Sequence, residues 1–222
     1  MNKKNTYIML SDGKFLESEI CYEEAKDIIK PQSKVVCIPF ACDMNFLFKE
    51  CNKSLSYNGE FYNQHYNHFI EYGIDKDNFY VVNPSDNIEF IKWKIEHCDI
   101  IYLSGGSMKN LKFMLQAFGL WDIIKNISNK VIVLESASVL VFQEAYTVFR
   151  EDIPFEYEGL NMFDTVDIFV HYNKNIHEDL FREFKRFSDC KIKQRYIYAL
   201  SDDGALILKN NNEIIKIGNV YE

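Results

Sequence analysis

Positive charge is in short supply in this sequence. Its 222 residues carry 25 Lys and Arg against 33 Asp and Glu, a formal net charge of −8. A surface without a basic excess argues against nucleic-acid partners, whose phosphates must be neutralised. It also disfavours docking on an anionic membrane face. Metal-binding patterns are missing. The six cysteines (Cys21, Cys37, Cys42, Cys51, Cys98 and Cys190) form no C-x-x-C pair and no Cys/His cluster at zinc-ligand spacing. Cysteines scattered in this way point to reduced thiols and a cytoplasmic setting. No apolar run approaches the roughly 20 residues that span a bilayer. The apolar stretch in MNKKNTYIML is too short for a secretory leader. Neither G-x-G-x-x-G nor G-x-x-x-x-G-K-[ST] occurs, which weakens the reading of any glycine turn as a nucleotide site. No repeat and no Pro/Gly/Ser-rich linker divides the chain, so residues 1–222 read as one domain.

What is present is a globular composition, 47% hydrophobic and 26% charged, with a high aromatic share of 15%. Short β-branched apolar runs ending in turn residues predict buried parallel strands over 7–10, 34–39, 79–83, 100–103, 131–134 and 167–170. Helical spacing between them predicts helices over 19–29, 62–72, 88–97 and 109–127. The last carries Leu111, Met114, Leu115, Phe118, Trp121, Ile124 and Ile127 on one stripe. Alternating strands and helices predict a three-layer α/β/α fold around a mostly parallel sheet. After an amphipathic stretch at 178–187 come three apolar runs, 196–200, 205–209 and 213–217. Ser201-Asp202-Asp203-Gly204 and Asn210-Asn211-Asn212 separate them as turn material. They predict an antiparallel meander at one sheet edge.

Three segments carry candidate chemistry. In Ile100-Ile101-Tyr102-Leu103-Ser104-Gly105-Gly106-Ser107 a buried strand meets a Gly-Gly turn and then a helix. Gly105 and Gly106 let backbone N–H groups approach a carboxylate, phosphate or oxyanion, and Ser107 can cap the helix. A plain βα turn has the same composition. In Val131-Ile132-Val133-Leu134-Glu135-Ser136-Ala137-Ser138 a strand again meets small residues and a helix. A nucleophile on such a turn is strained and exposed, and the next N–H serves an oxyanion. That logic selects Ser136 and the Ala137 N–H, although an ordinary Ser N-cap fits the segment equally. In Asp167-Ile168-Phe169-Val170-His171-Tyr172 a histidine stands at the carboxyl end of a strand, where open α/β sheets place their sites. A surface or core histidine is the plainer reading of that segment alone. The acid that orients an imidazole is expected in Arg150-Glu151-Asp152-Ile153-Pro154, with Asp152 and Glu151 both available. Cys42, after Pro39-Phe40-Ala41, reads as a packing residue.

Taken in order, a Gly-Gly-Ser turn, Leu-Glu-Ser-Ala-Ser, Glu-Asp-Ile-Pro, and Gly-Leu-Asn-Met-Phe before Val-His-Tyr resemble the dipeptidase E (peptidase S51) family, which is related to cyanophycinase. The likeness is best over residues 80–222. It implies a class I glutamine amidotransferase-like fold and a serine peptidase cleaving small peptides through Ser136, His171 and Asp152, with no metal or organic cofactor. Four positions depart from the family pattern: Ser107 for the turn Asn, Leu134 for a small residue, Ser138 for the elbow Gly, and Val170 for the Pro before His. Leu134 and Ser138 are what a family member that had lost catalysis and bound a small ligand would display. Glu135, beside the nucleophile, could repel an anionic substrate or bind a substrate amine. His177 aligns with the family arginine that holds a substrate carboxylate, and a neutral imidazole would hold one far more weakly. An exposed aromatic patch could support a homodimer.

Overall fold

The computed structural model describes residues 4–150, 153–163, 165–189, 195–210 and 213–222. In chain order the elements are β1 (Thr6–Leu10), a 3₁₀ turn at Gly13–Glu17, α1 (Glu19–Ala25), β2 (Val35–Ile38), a π-helical turn at Phe46–Glu50, α2 (Cys51–Ser54) and α3 (Glu60–Asn67). Then follow β3 (Phe79–Val81), α4 (Ile88–His97), β4 (Ile100–Leu103), α5 (Met108–Ala117), α6 (Leu120–Asn126), β5 (Val131–Glu135) and α7 (Ala137–Phe142). The chain ends with β6 (Ala145–Arg150), β7 (Ile153–Glu158), β8 (Val166–Phe169), α8 (Lys174–Asp189), β9 (Tyr196–Lys209) and β10 (Glu213–Tyr221).

Continuous apolar strands need cover on both faces. β2 and β4 are buried at every residue, β1 at every residue after Thr6, and β5 at all but its two ends. They form the middle of a sheet ordered β10-β9-β1-β5-β4-β2-β3, with β8 joined to β9. β1, β5, β4, β2 and β3 run parallel, and helices cover both faces. Their carboxyl ends align: Leu10 lies opposite Glu135, and Leu103 opposite Leu134. The chain passes from β2 to β3 on one side of β2 and returns to β4 on the other. Such a reversal opens a crevice at the carboxyl ends of the flanking strands. Among the described residues no helix is long and apolar enough to cross a membrane.

One expected helix is two. The stripe over 109–127 is interrupted at Gly119, which takes the left-handed conformation (φ 63°) between α5 and α6. Periodicity continued through the break, but glycine supplies the positive φ that ends a helix.

The expected antiparallel strands do form the terminal edge of the sheet, but as two strands rather than three. Ser201-Asp202-Asp203-Gly204 is not a turn: β9 runs unbroken from Tyr196 to Lys209. Leu200 pairs with Val220 and Gly204 with Gly218, so four steps on β9 face two on β10. The extra residues make a bulge, which bends the strand and re-aims its side chains. Glycine is required where the strands meet. Gly218 has φ 64°, and a Cβ there would stand 2.2 Å from the Asp203 carbonyl oxygen. Asn219 pins the bulge, donating to Asp203 Oδ2 (2.7 Å) and accepting from Ser201 Oγ (2.9 Å). The bulge splits β9 into two working halves. Residues 205–209 pair with β1 and 196–199 with β8, so the carboxyl ends of β1 and β8 converge on it.

β6 and β7 form a separate antiparallel pair, with Tyr146 stacked on Tyr157.

Candidate active site

Ser136 follows β5 directly and precedes the first residue of α7. Its backbone (φ 48°, ψ −109°) is one that L-residues rarely adopt, and holding it costs roughly 1–3 kcal/mol. The surroundings enforce it. The Ser136 N–H donates to Leu10 O at 2.8 Å. Ser138 Oγ accepts from the Glu135 N–H (2.7 Å) and donates to Leu103 O (3.0 Å). The residue standing for the elbow glycine thus staples the turn to β4, while Leu134 is fully buried in β5. Although Ser136 occupies the N-cap position, its side chain makes no cap bond. Its hydroxyl meets His171 Nε2 at 2.7 Å.

His171 lies just past β8, also at positive φ (56°). Its N–H donates to Ser11 Oγ at 2.9 Å, and Ser11 Oγ donates to Leu200 O at 2.7 Å. The Tyr172 N–H reaches the same carbonyl at 2.9 Å. The backbone around the ring is therefore clamped to the residue where the bulge begins. β8 is held from its other side by Gln143, a buried side chain that behaves like a neighbouring strand. Its Nε2 donates to Ile168 O (3.1 Å) and its Oε1 accepts from the Ile168 N–H (2.8 Å). Asp167, also buried, accepts from Arg195 Nη1 at 2.9 Å.

Asp202, at the bulge, faces His171 Nδ1 with Oδ1 at 2.6 Å. Serine hydroxyl, imidazole and carboxylate thus stand in one line. The His171 and Asp202 side chains are 50% and 66% exposed, which leaves the mouth open. The acid expected at Asp152 or Glu151 falls outside the described residues; the carboxylate on the imidazole is Asp202. Nothing local in Ser-Asp-Asp-Gly announced this, because the bulge depends on pairing with Gly218. The available signal was an acidic pair near the end of a terminal strand.

The Gly-Gly turn faces the elbow. The Ser107 N–H donates to Ala41 O at 2.7 Å, which ties the segment after β4 to the segment after β2. Ser107 Oγ caps α5 by accepting from the Asn110 N–H at 3.3 Å. Gly106 has φ 134°, and a Cβ there would lie 2.4 Å from Ala41 O. The Gly105 and Gly106 N–H groups have no hydrogen-bond partner among the described residues. The Ala137 N–H opens α7, where a helix offers no internal acceptor.

Beneath the elbow lies a polar layer of which only Glu135 stood out in the sequence. Tyr102, fully buried in β4, donates its hydroxyl to Glu135 Oε2 at 2.5 Å. Burial and then the Glu135 charge push that phenol well above its usual range, so it stays a donor. The ring packs near His65 and His68. His65 Nδ1 lies 2.9 Å from Phe61 O, and burial lowers its pKa to about 4. His177 sits elsewhere in the contact network: its Nδ1 accepts from the Asn173 N–H at 3.2 Å and its ring packs on Phe169. Cys42 is half-buried, and burial raises its thiol to about 11, which opposes nucleophilic use.

The chain superposes on a candidate peptidase E of Listeria monocytogenes EGD-e with a TM-score of 0.68 at 16% identity, over 97% of this chain and 99% of that one. A peptidase from an acI-B1 Actinobacterium gives a TM-score of 0.67 at 17% identity, over 99% of this chain and 91% of that one. At such identities the likeness is one of fold. No curated protein matches the sequence. The model of peptidase family S51 matches residues 8–216, nearly the whole chain, and the protein belongs to that family.

Proposed function

We propose that the protein is a serine peptidase of dipeptidase E type that cleaves small peptides through Ser136, His171 and Asp202. The observation that carries this reading is the 2.7 Å contact between Ser136 Oγ and His171 Nε2. It is made by a serine whose strained backbone serves no capping purpose.

In the proposed reaction Ser136 Oγ attacks the scissile carbonyl while His171 Nε2 accepts its proton. Asp202 accepts the His171 Nδ1–H, which fixes the tautomer and stabilises the imidazolium that forms. The N–H groups of Gly106 and Ala137 face the developing oxyanion, an interaction typically worth about 2.7–4 kcal/mol per donor. His171 returns the proton to the departing amine, and water then attacks the acyl-enzyme by the same route in reverse. The departures from the family pattern at Leu134 and Ser138 are absorbed by burial and hydrogen bonding. That favours an active enzyme over a binding-only relative.

A fluorophosphonate probe tests the reading. Covalent labelling that disappears in Ser136→Ala is expected. A folded protein that resists labelling, or labelling that survives the substitution, would overturn it.

A further inference from the structure

We propose that Glu135 makes the Ser136 site selective for substrates with a cationic nitrogen on the acyl side of the scissile bond. The inference rests on the serine-peptidase reading of Ser136 and adds a substrate class to it.

Along a regular strand neighbouring side chains point to opposite faces. The left-handed backbone at Ser136 breaks that alternation, and Glu135 and Ser136 come to flank the same glycine. A Cβ added to Gly105 would lie 3.1 Å from Glu135 Oε1 and 3.2 Å from Ser136 Cβ. The carboxylate oxygen and the carbon bearing the hydroxyl are thus no farther apart than those two distances together. Glycine at this position keeps the space between them open.

The carboxylate is also held in place. Tyr102 fixes Oε2 at 2.5 Å from a wholly buried ring. Gly13 clears the other side, since a Cβ there would stand 3.0 Å from Oε2 and 2.8 Å from the Tyr102 hydroxyl. Oε1 has no hydrogen-bond or ion-pair partner among the described residues, and Glu135 is only partly exposed. A fixed, half-buried carboxylate with one unpartnered oxygen is a receptor for a charged donor, and charge-assisted bonds there exceed those of mobile surface pairs.

Reach agrees with this. The α-ammonium of an amino-terminal residue is two bonds from the carbonyl that Ser136 would attack, and a lysine-like side chain extends farther from the same carbon. An acidic side chain placed there would meet repulsion. The imidazole aligned with the family's carboxylate-binding arginine, His177, is engaged with Asn173 and Phe169.

The test uses four phosphonate probes with one leaving group. One has a free α-amine, one an acetylated α-amine with a side-chain ammonium, one an acetylated α-amine with a neutral side chain, and one an acetylated α-amine with a side-chain carboxylate. Labelling of Ser136 by at least one cationic probe about tenfold faster than by the neutral one is expected, with the carboxylate probe slowest. The faster cationic arm tells whether the α-ammonium or the side-chain cation is recognised. Glu135→Gln keeps an acceptor for Tyr102 and should reduce the cationic-to-neutral ratio about tenfold. The order of rates among the four probes is read in the unmodified enzyme, so the outcome does not depend on the variant folding. Equal rates for all probes, or fastest labelling by the carboxylate probe, would overturn the inference and leave the peptidase reading standing. No labelling by any probe would overturn both.

Discussion

Ser136 and His171 reach their contact by opposite constructions. The serine ends a central parallel strand, and its turn is packed among buried residues, Leu134, Ala137, Ser138 and Val139. The histidine ends a short strand near the sheet margin and owes its place to polar clamps, Ser11 and Gln143, and to a bulge in β9. Its acid, Asp202, is largely exposed. The serine turn is fixed by packing together with the Leu10 and Ser138 hydrogen bonds. Hydrogen bonds fix the groups that must exchange protons and stay open to substrate. The two halves should therefore fail differently when altered.

The largest effect is expected at the elbow. Ser136→Gly should abolish hydrolysis, a loss on the order of 10⁴-fold or more in kcat/KM. It should also stabilise the fold by about 1 kcal/mol, because glycine accepts φ 48° without strain. Thermal melting beside a peptidase assay measures both. Unchanged or lower stability would mean that the elbow stores no strain.

Asp202→Asn comes next, with a fall of roughly 10²–10⁴-fold in kcat and little change in melting temperature, since the carboxylate is exposed. Asp152→Asn is the control and should leave kcat within about twofold. The reverse pattern would return the acid's role to the segment that sequence reasoning favoured. That contrast marks where the sequence was legible. Apolar runs reveal the parallel strands, because burial on both faces leaves a local trace. A strand running into Ser-Ala-Ser reveals the elbow for the same reason. Asp202 left no such trace. Ser-Asp-Asp-Gly has turn composition, and only pairing with Gly218 and Asn219 keeps it inside β9. Gln143 was equally silent, since its amide acts as a strand only once β8 lies beside it.

Gly218→Ala tests that dependence from a distance. The left-handed backbone costs about 1–3 kcal/mol for a non-glycine residue. The approach to the Asp203 carbonyl at 2.2 Å adds to it. A shift of the bulge would move Asp202 away from His171, so kcat should fall while Ser136 still labels, more slowly, with a fluorophosphonate. Wild-type kcat in a destabilised variant would separate the acid's position from the bulge.

The smallest effect belongs to the buried layer beneath the elbow. His65 has its pKa lowered to about 4 by burial, against 6.5 for an unburied ring. The unfolded chain therefore takes up a proton at a higher pH than the folded one. Stability from the neutral buried ring is complete above pH 6.5 and is lost as the pH falls toward 4, with no further loss below. Between pH 6.5 and 5 the loss from this one group is about 2 kcal/mol. His65→Phe removes the titration and also forfeits the bond to Phe61 O, so it should lower stability at neutral pH yet flatten its decline in acid. Urea unfolding at several pH values reads the difference. Parallel curves for wild type and His65→Phe would show that the acid sensitivity lies elsewhere than under Tyr102 and Glu135.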